Sequence, residues 1–225
     1  MVSPRASIRL VLITVLLALS GCASFREGAS QAPVSWPIIN VPAKQSISLL
    51  MTHEAIMNGW RISVPQQQVQ KVEEIVARAY KDSGLFSDVK IGAADTDFRA
   101  EVHVLYHVQF SEWLAYAAGV TLSLIPGYEQ REFVITTTLK NRELRSLGTF
   151  EKVERETTWI QLFLIFIMPF YWPNSVTGEL VYDLNRAIIS QAYGTGVLQS
   201  RELPVKTRPV AVVSDEMRCR LGIDC

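Results

Sequence analysis

The sequence has 3 cysteines and 3 histidines among its 225 residues. Cys22 stands near one end, and Cys219 and Cys225 at the other. That spacing excludes a disulfide framework through the body of the chain. His103 and His107 are four apart in a segment that alternates like a strand. At about 3.3 Å per residue they would lie about 13 Å apart, too far to share one ion, so they read as partly exposed residues of a polar face. His53 is isolated. There is no Gly-x-Ser-x-Gly elbow, phosphate-binding loop or His-Glu-x-x-His. No catalytic residue, metal or cofactor is therefore expected. Charge of one sign is also lacking, since 22 basic residues meet 22 acidic ones with no basic cluster, which excludes nucleic acid as the partner. No apolar run reaches the roughly 20 residues that a membrane-spanning helix needs.

What is present begins at the N-terminus. Arg5 and Arg9 make a positively charged start without an acidic residue, and Leu10 to Leu19 is an apolar run of ten. That is the length of a signal-peptide core. Leu19-Ser20-Gly21-Cys22 follows, and it resembles the lipobox of bacterial lipoproteins. The resemblance implies that residues 1–21 are a signal peptide cut between Gly21 and Cys22. It further implies that the Cys22 thiol carries a diacylglyceryl group and the new amino group a further acyl chain such as palmitate. Two or more chains hold a protein stably on a membrane, where one binds marginally. Ala23 and Ser24 follow with no aspartate; lipoproteins of this kind pass on to the outer membrane and face the periplasm. The other reading is an ordinary secretory signal whose cleavage site contains a cysteine. Loss of Arg5 and Arg9 leaves the mature chain slightly acidic.

From Ala23 to about Val41 the chain is rich in Ser, Ala, Pro and Gly, which predicts a flexible tether over residues 22–42. An α+β domain is expected over 43–197, with an irregular tail over 198–225. Residues 46–51 can form a first strand. Ser63 is placed to cap a helix over 65–83, with Gln66 three residues on and an apolar stripe through Val69, Val72, Ile75, Val76, Ala79 and Tyr80. A short strand at Val89 and Ile91 follows. Alternation from Phe98 to Phe110 predicts a long strand with one buried face. Residues 130–140 and 147–158, joined by a turn at 141–146, read as an antiparallel hairpin. A second helix starts near Asn174 or Ser175, after Pro173, and stops at Gly194 and Gly196. The fold class is α+β: a mainly antiparallel sheet with two amphipathic helices and two apolar inserts that follow strands. Arg99, Glu101, Glu129, Arg131 and Glu132 read as a solvated sheet face with pairs across strands.

The inserts are Trp113–Pro126 and Trp159–Pro173, neither carrying a charge. Fourteen helical residues reach about 21 Å against a hydrocarbon core of about 30 Å, so neither spans a bilayer. Each can enter the near leaflet, bury against a partner protein or a second copy, or lie in the domain's own core. The candidate contact residues are Trp113, Leu114, Leu122, Leu124 and Ile125 in the first insert. In the second they are Trp159, Leu162, Phe163, Ile165, Phe166, Phe170 and Trp172. Cys219 and Cys225 can close a small disulfide loop in an oxidising compartment. The chain also resembles, loosely, the small lipoproteins of Gram-negative bacteria with an α+β periplasmic domain, through Leu19 to Cys22, Gly119 to Pro126, and Pro169-Phe170; that resemblance carries no assigned activity. The expectation is a non-enzymatic envelope lipoprotein that docks on membrane or partner proteins through its inserts, in export or envelope assembly. The alternative is an envelope enzyme acting on lipid or cell wall.

Overall fold

The computed structural model describes residues 21–27, 36–39, 44–121, 123–161, 164 and 169–199. Residues 1–20 of the expected signal peptide, together with Leu122, Leu162, Phe163, Ile165, Phe166, Cys219 and Cys225, lie outside the described residues.

The long strands form where apolar and polar side chains alternate. In β5 (Phe98–Phe110), Phe98, Ala100, Val102, Val104, Tyr106 and Val108 are buried, and the residues between them are part-exposed. This segment has the bounds and the buried face that its alternation predicts. Its neighbours are β6 (Gly127–Asn141) and β7 (Ser146–Gln161), an antiparallel hairpin with Val134 opposite Val153. Phe133, Ile135, Thr137 and Leu139 supply the buried face of β6. On the other side of β5 runs β2 (Gln45–Met57), parallel to it with Met51 opposite Val102. β2 continues well beyond the predicted 46–51. It turns at Asn58-Gly59 into β3 (Trp60–Ile62), and its first half pairs in parallel with β4 (Phe86–Ile91). At the far edge, β1 (Gly21–Arg26) pairs antiparallel with β7. The sheet runs β1-β7-β6-β5-β2-β3, with β4 also on β2, and most of its pairings are antiparallel.

Two helices cover one face. α1 (Gln66–Asp82) brings Val72, Val76, Ala79 and Tyr80 onto the sheet, and α3 (Pro173–Gly194) brings Leu180, Val181, Leu184, Ile188 and Ile189. These side chains and the buried faces of β2, β5 and β6 make one core. Leu198, one residue past the predicted end of the domain, belongs to that core as well. Ser63 does not cap α1: the extended Pro65 precedes the helix, and its carbonyl accepts from the Gln68 and Val69 amides at 2.9 and 3.1 Å.

Two other expectations change. Residues 22–26 are a strand and not a tether. Further along, Trp36 packs under the Arg186 guanidinium at 5.2 Å, and the Ile38 amide donates to Ser83 O at 2.9 Å. The first insert contains a third helix, α2 (Glu112–Val120). Among the described residues no helix is long and apolar enough to cross a membrane.

Candidate functional site

Strand register brings the two inserts to one end of the sheet. α2 joins the end of β5 to the start of β6, and the second insert begins in the last residues of β7. Gly127 of β6 lies opposite Ile160 of β7, and Tyr128 opposite Trp159.

The first insert is held by local chemistry. The Ser111 hydroxyl accepts from the Leu114 amide at 3.4 Å and caps α2. At the other terminus the Thr121 hydroxyl donates to Ala117 O at 2.6 Å and accepts from the Ile125 amide at 3.1 Å. α2 lies close on the sheet because Gly127 has no side chain: a Cβ there would sit 3.3 Å from Ala118 Cβ. Ala117 and Ala118 face inward, whereas Trp113, Tyr116 and Val120 face out, Trp113 being 71% exposed. A helix apolar on all sides normally has every side covered; this one has an open side. Leu114 is half-buried, and Leu124 and Ile125 stand exposed beyond the helix.

In the second insert, Trp159 and Ile160 end β7 with exposed side chains, and the Trp159 ring lies 5.5 Å from that of Tyr128. Phe170 is 80% exposed, with Tyr171 and Trp172 beside it. The two inserts and the adjoining Tyr128 supply eleven of the seventeen large apolar side chains that stand exposed among the described residues. That concentration differs from singly scattered surface apolarity. Most of the large apolar side chains described in both inserts are therefore exposed, while Ala117 and Ala118 are buried.

Sequence reasoning missed two contributors. Trp60, 78% exposed, stands at the tip of the β2–β3 hairpin. Asn58 ties that tip to the end of β5, donating to Phe110 O at 3.2 Å and accepting from the Phe110 amide at 3.1 Å. The signal was in plain view, since Asn-Gly is a strong hairpin marker. The second contributor is β1, which places Cys22 opposite Ile160. The Ser24 amide donates to Tyr171 O at 3.0 Å, the Phe25 and Tyr171 rings lie 5.0 Å apart, and the Ser24 and Thr158 hydroxyls bond at 2.6 Å. Burial pushes the half-buried Cys22 thiol above its usual pKa, so it is not an activated thiolate.

His103 and His107 lie on the uncovered face of the sheet, as expected. His103 Nδ1 is 2.9 Å from the Thr52 hydroxyl, and His107 Nδ1 is 3.9 Å from Glu132. No cluster of His, Cys, Asp and Glu suited to a metal occurs among the described residues. Of the predicted charged face, Lys140 pairs with Glu101 at 2.6 Å and Arg155 with Glu132 at 2.6 Å. Glu129 and Arg131 do not belong to that face: they pair with each other beneath the helices, in phase with Phe133.

The fold and the site thus define an α+β domain with an apolar end next to Cys22. No family model matches the chain, and no curated protein does. Among solved structures the chain is similar to a Xanthomonas campestris protein of the family DUF330, with 11% identity, 72% of this chain and 90% of that one covered, and a TM-score of 0.38. It is similar to the PelC dodecamer from Paraburkholderia phytofirmans, with 11% identity, 80% and 99% covered, and a TM-score of 0.29. A minor lipoprotein from Acinetobacter baumannii matches with 12% identity, 71% and 92% covered, and a TM-score of 0.28. At these scores the likenesses carry no argument about what this chain does.

Proposed function

We propose that the chain is a non-enzymatic envelope lipoprotein, held by lipid on Cys22, that seats the apolar end of its sheet on the membrane. The observation that supports this reading is the register of β1, which sets Cys22 opposite Ile160 at the end where the inserts expose their aromatic side chains. Acyl chains on Cys22 would leave the domain among Trp159, Trp172 and Tyr171, and amphipathic rings favour the headgroup level. Anchor and apolar end would then engage one leaflet together, with little further entropic cost for the second contact. The outer membrane and a periplasmic orientation follow from the residues after Cys22, and a role in export or envelope assembly suits a docking protein. The test is labelling with radioactive palmitate. The native chain takes up label, and Cys22→Ser takes up none and accumulates as unprocessed precursor. Equal labelling of the Ser variant overturns the proposal.

A further inference from the structure

The first turns of α1 and α3 stand apart over the end of the sheet, and a cleft of about 450 Å³ lies between them. That volume is within the roughly 300–1,000 Å³ of small-molecule sites. Much of its lining is apolar: Ala55 and Met57 of β2, Tyr106 and Val108 of β5, and Val72 and Val181 of the two helices, with the Glu129–Arg131 pair of β6 at one wall. Two of the polar groups in its walls are paired within the protein. Arg131 donates to Glu129, and the Thr177 hydroxyl donates to Glu156 Oε2 at 2.8 Å. A ligand deep in the cleft therefore meets mainly apolar side chains of the strands and helices, which suits hydrocarbon.

The mouth differs from the interior. Gln67, Gln68, Lys71 and Asn174 line it, all exposed and all in or near the first turns of the two helices. Two helix N-termini and an ammonium group give it a positive potential. The cleft also opens at the end that carries Trp60 and the inserts. An apolar slot with a cationic rim, beside a membrane-seated surface, fits one amphiphile with an anionic head.

We propose that this cleft takes one acyl chain of an anionic phospholipid from the leaflet on which the sheet end sits. The inference rests on the membrane-seated reading above, and the two are separable by experiment.

The mature lipidated chain is reconstituted in vesicles of phosphatidylcholine and phosphatidylglycerol, the latter bearing a diazirine at the end of one acyl chain. After irradiation, cross-linked residues are mapped by mass spectrometry. The expected result is label on cleft residues such as Val72, Val108 and Val181, in addition to label on Trp113 and Phe170. Ala55→Trp, which fills the cleft, lowers cleft label at least five-fold and leaves label on Trp113 and Phe170 unchanged. Gly178→Leu, on α3 facing Ile75 Cδ1 at 3.6 Å from its Cβ position, does the same and serves if Ala55→Trp does not fold. Label confined to Trp113 and Phe170 overturns the cleft inference and leaves membrane seating intact. No label on either set overturns both.

Discussion

The Arg26 guanidinium donates to both oxygens of Glu154, at 2.6 and 2.9 Å, and to Asp183 on α3 at 2.8 Å. The Glu154 side chain is 3% exposed and pairs with this guanidinium, and the Glu154 hydrogen bond foremost raises the Arg26 pKa against desolvation. Removing one member of a buried pair costs about 3–5 kcal/mol. Here β1 can limit that loss by leaving the sheet. Arg26→Met should therefore raise amide exchange across residues 22–26 about a hundredfold or more, with β5 and α1 unchanged. Uniform acceleration throughout the domain would show that β1 is not a separate unit. His53 makes a second residue-level prediction. Its side chain is 6% exposed, set between Glu73 of α1 at 3.9 Å and the Tyr106 hydroxyl of β5 at 3.4 Å. Desolvation pushes its pKa below the ordinary value, Glu73 opposes this, and His103 adds to it. The folded state thus favours neutral imidazole more than the unfolded chain does. Stability from this group is full above the unfolded value of about 6.5 and is lost as pH falls through the lower folded value. Melting temperature should drop between pH 7 and pH 5, and His53→Gln should flatten that drop. An unchanged slope in His53→Gln would assign the titration elsewhere.

At the scale of elements, the β2–β3 hairpin depends on two left-handed residues, Asn58 at φ 47° and Gly59 at φ 87°. Nothing lies within 4 Å of a Cβ at Gly59, so Gly59→Ala meets backbone strain alone, about 1–2 kcal/mol. The expected outcome is a modest fall in melting temperature with the same fold. Legibility along the chain follows the same physics. β5 and the β6–β7 hairpin were readable because each has one face in the core and one in water, which writes a period of two into the residues. α1 is readable because its stripe is broad, although its cap is not: Ser63 matches a capping pattern, but Pro65 leaves the chain extended and starts the helix with its own carbonyl. β1 was not readable. Gly21 to Arg26 has no alternation, and its place is set by partners more than a hundred residues away, Glu154, Thr158 and Asp183. β2 beyond Met51 was hidden for a related reason, since His53 is buried on the helix side while Thr52 and Glu54 face out. The apolar inserts were legible as unusual, but their meeting at one sheet end required the register. Glu129 and Arg131 looked solvated because a sequence does not tell which face of β6 runs under helices near its start.

For the whole molecule, the proposed anchor, the inserts and the hairpin tip would together set an orientation. Pairing of β1 with β7 removes a long flexible lead between Cys22 and the domain, so on the proposed reading acyl chains on Cys22 and the exposed aromatic rings would point to one plane, with the strands running away from it. Membrane binding should then depend on side chains that the fold itself does not need. Trp113 and Phe170 are suited to the test because both are exposed and lie in different inserts. Burying a large apolar side chain is worth about 1.5–3 kcal/mol, so each residue should contribute roughly tenfold or more to partitioning. The chain from residue 22 with Cys22→Ser, made without the leader, isolates this contribution from the acyl anchor. It should float with vesicles, and Trp113→Asp and Phe170→Asp should each reduce flotation, the double variant most, while all three melt at the parent temperature. If the same surface instead joined copies of the chain, sizing would show an oligomer that the aspartates dissolve, with no vesicle binding in the parent. Early melting of the aspartate variants would return the inserts to the core, against the exposure of these two rings. Normal melts with flotation lost in step with the number of aspartates is the outcome that the orientation demands.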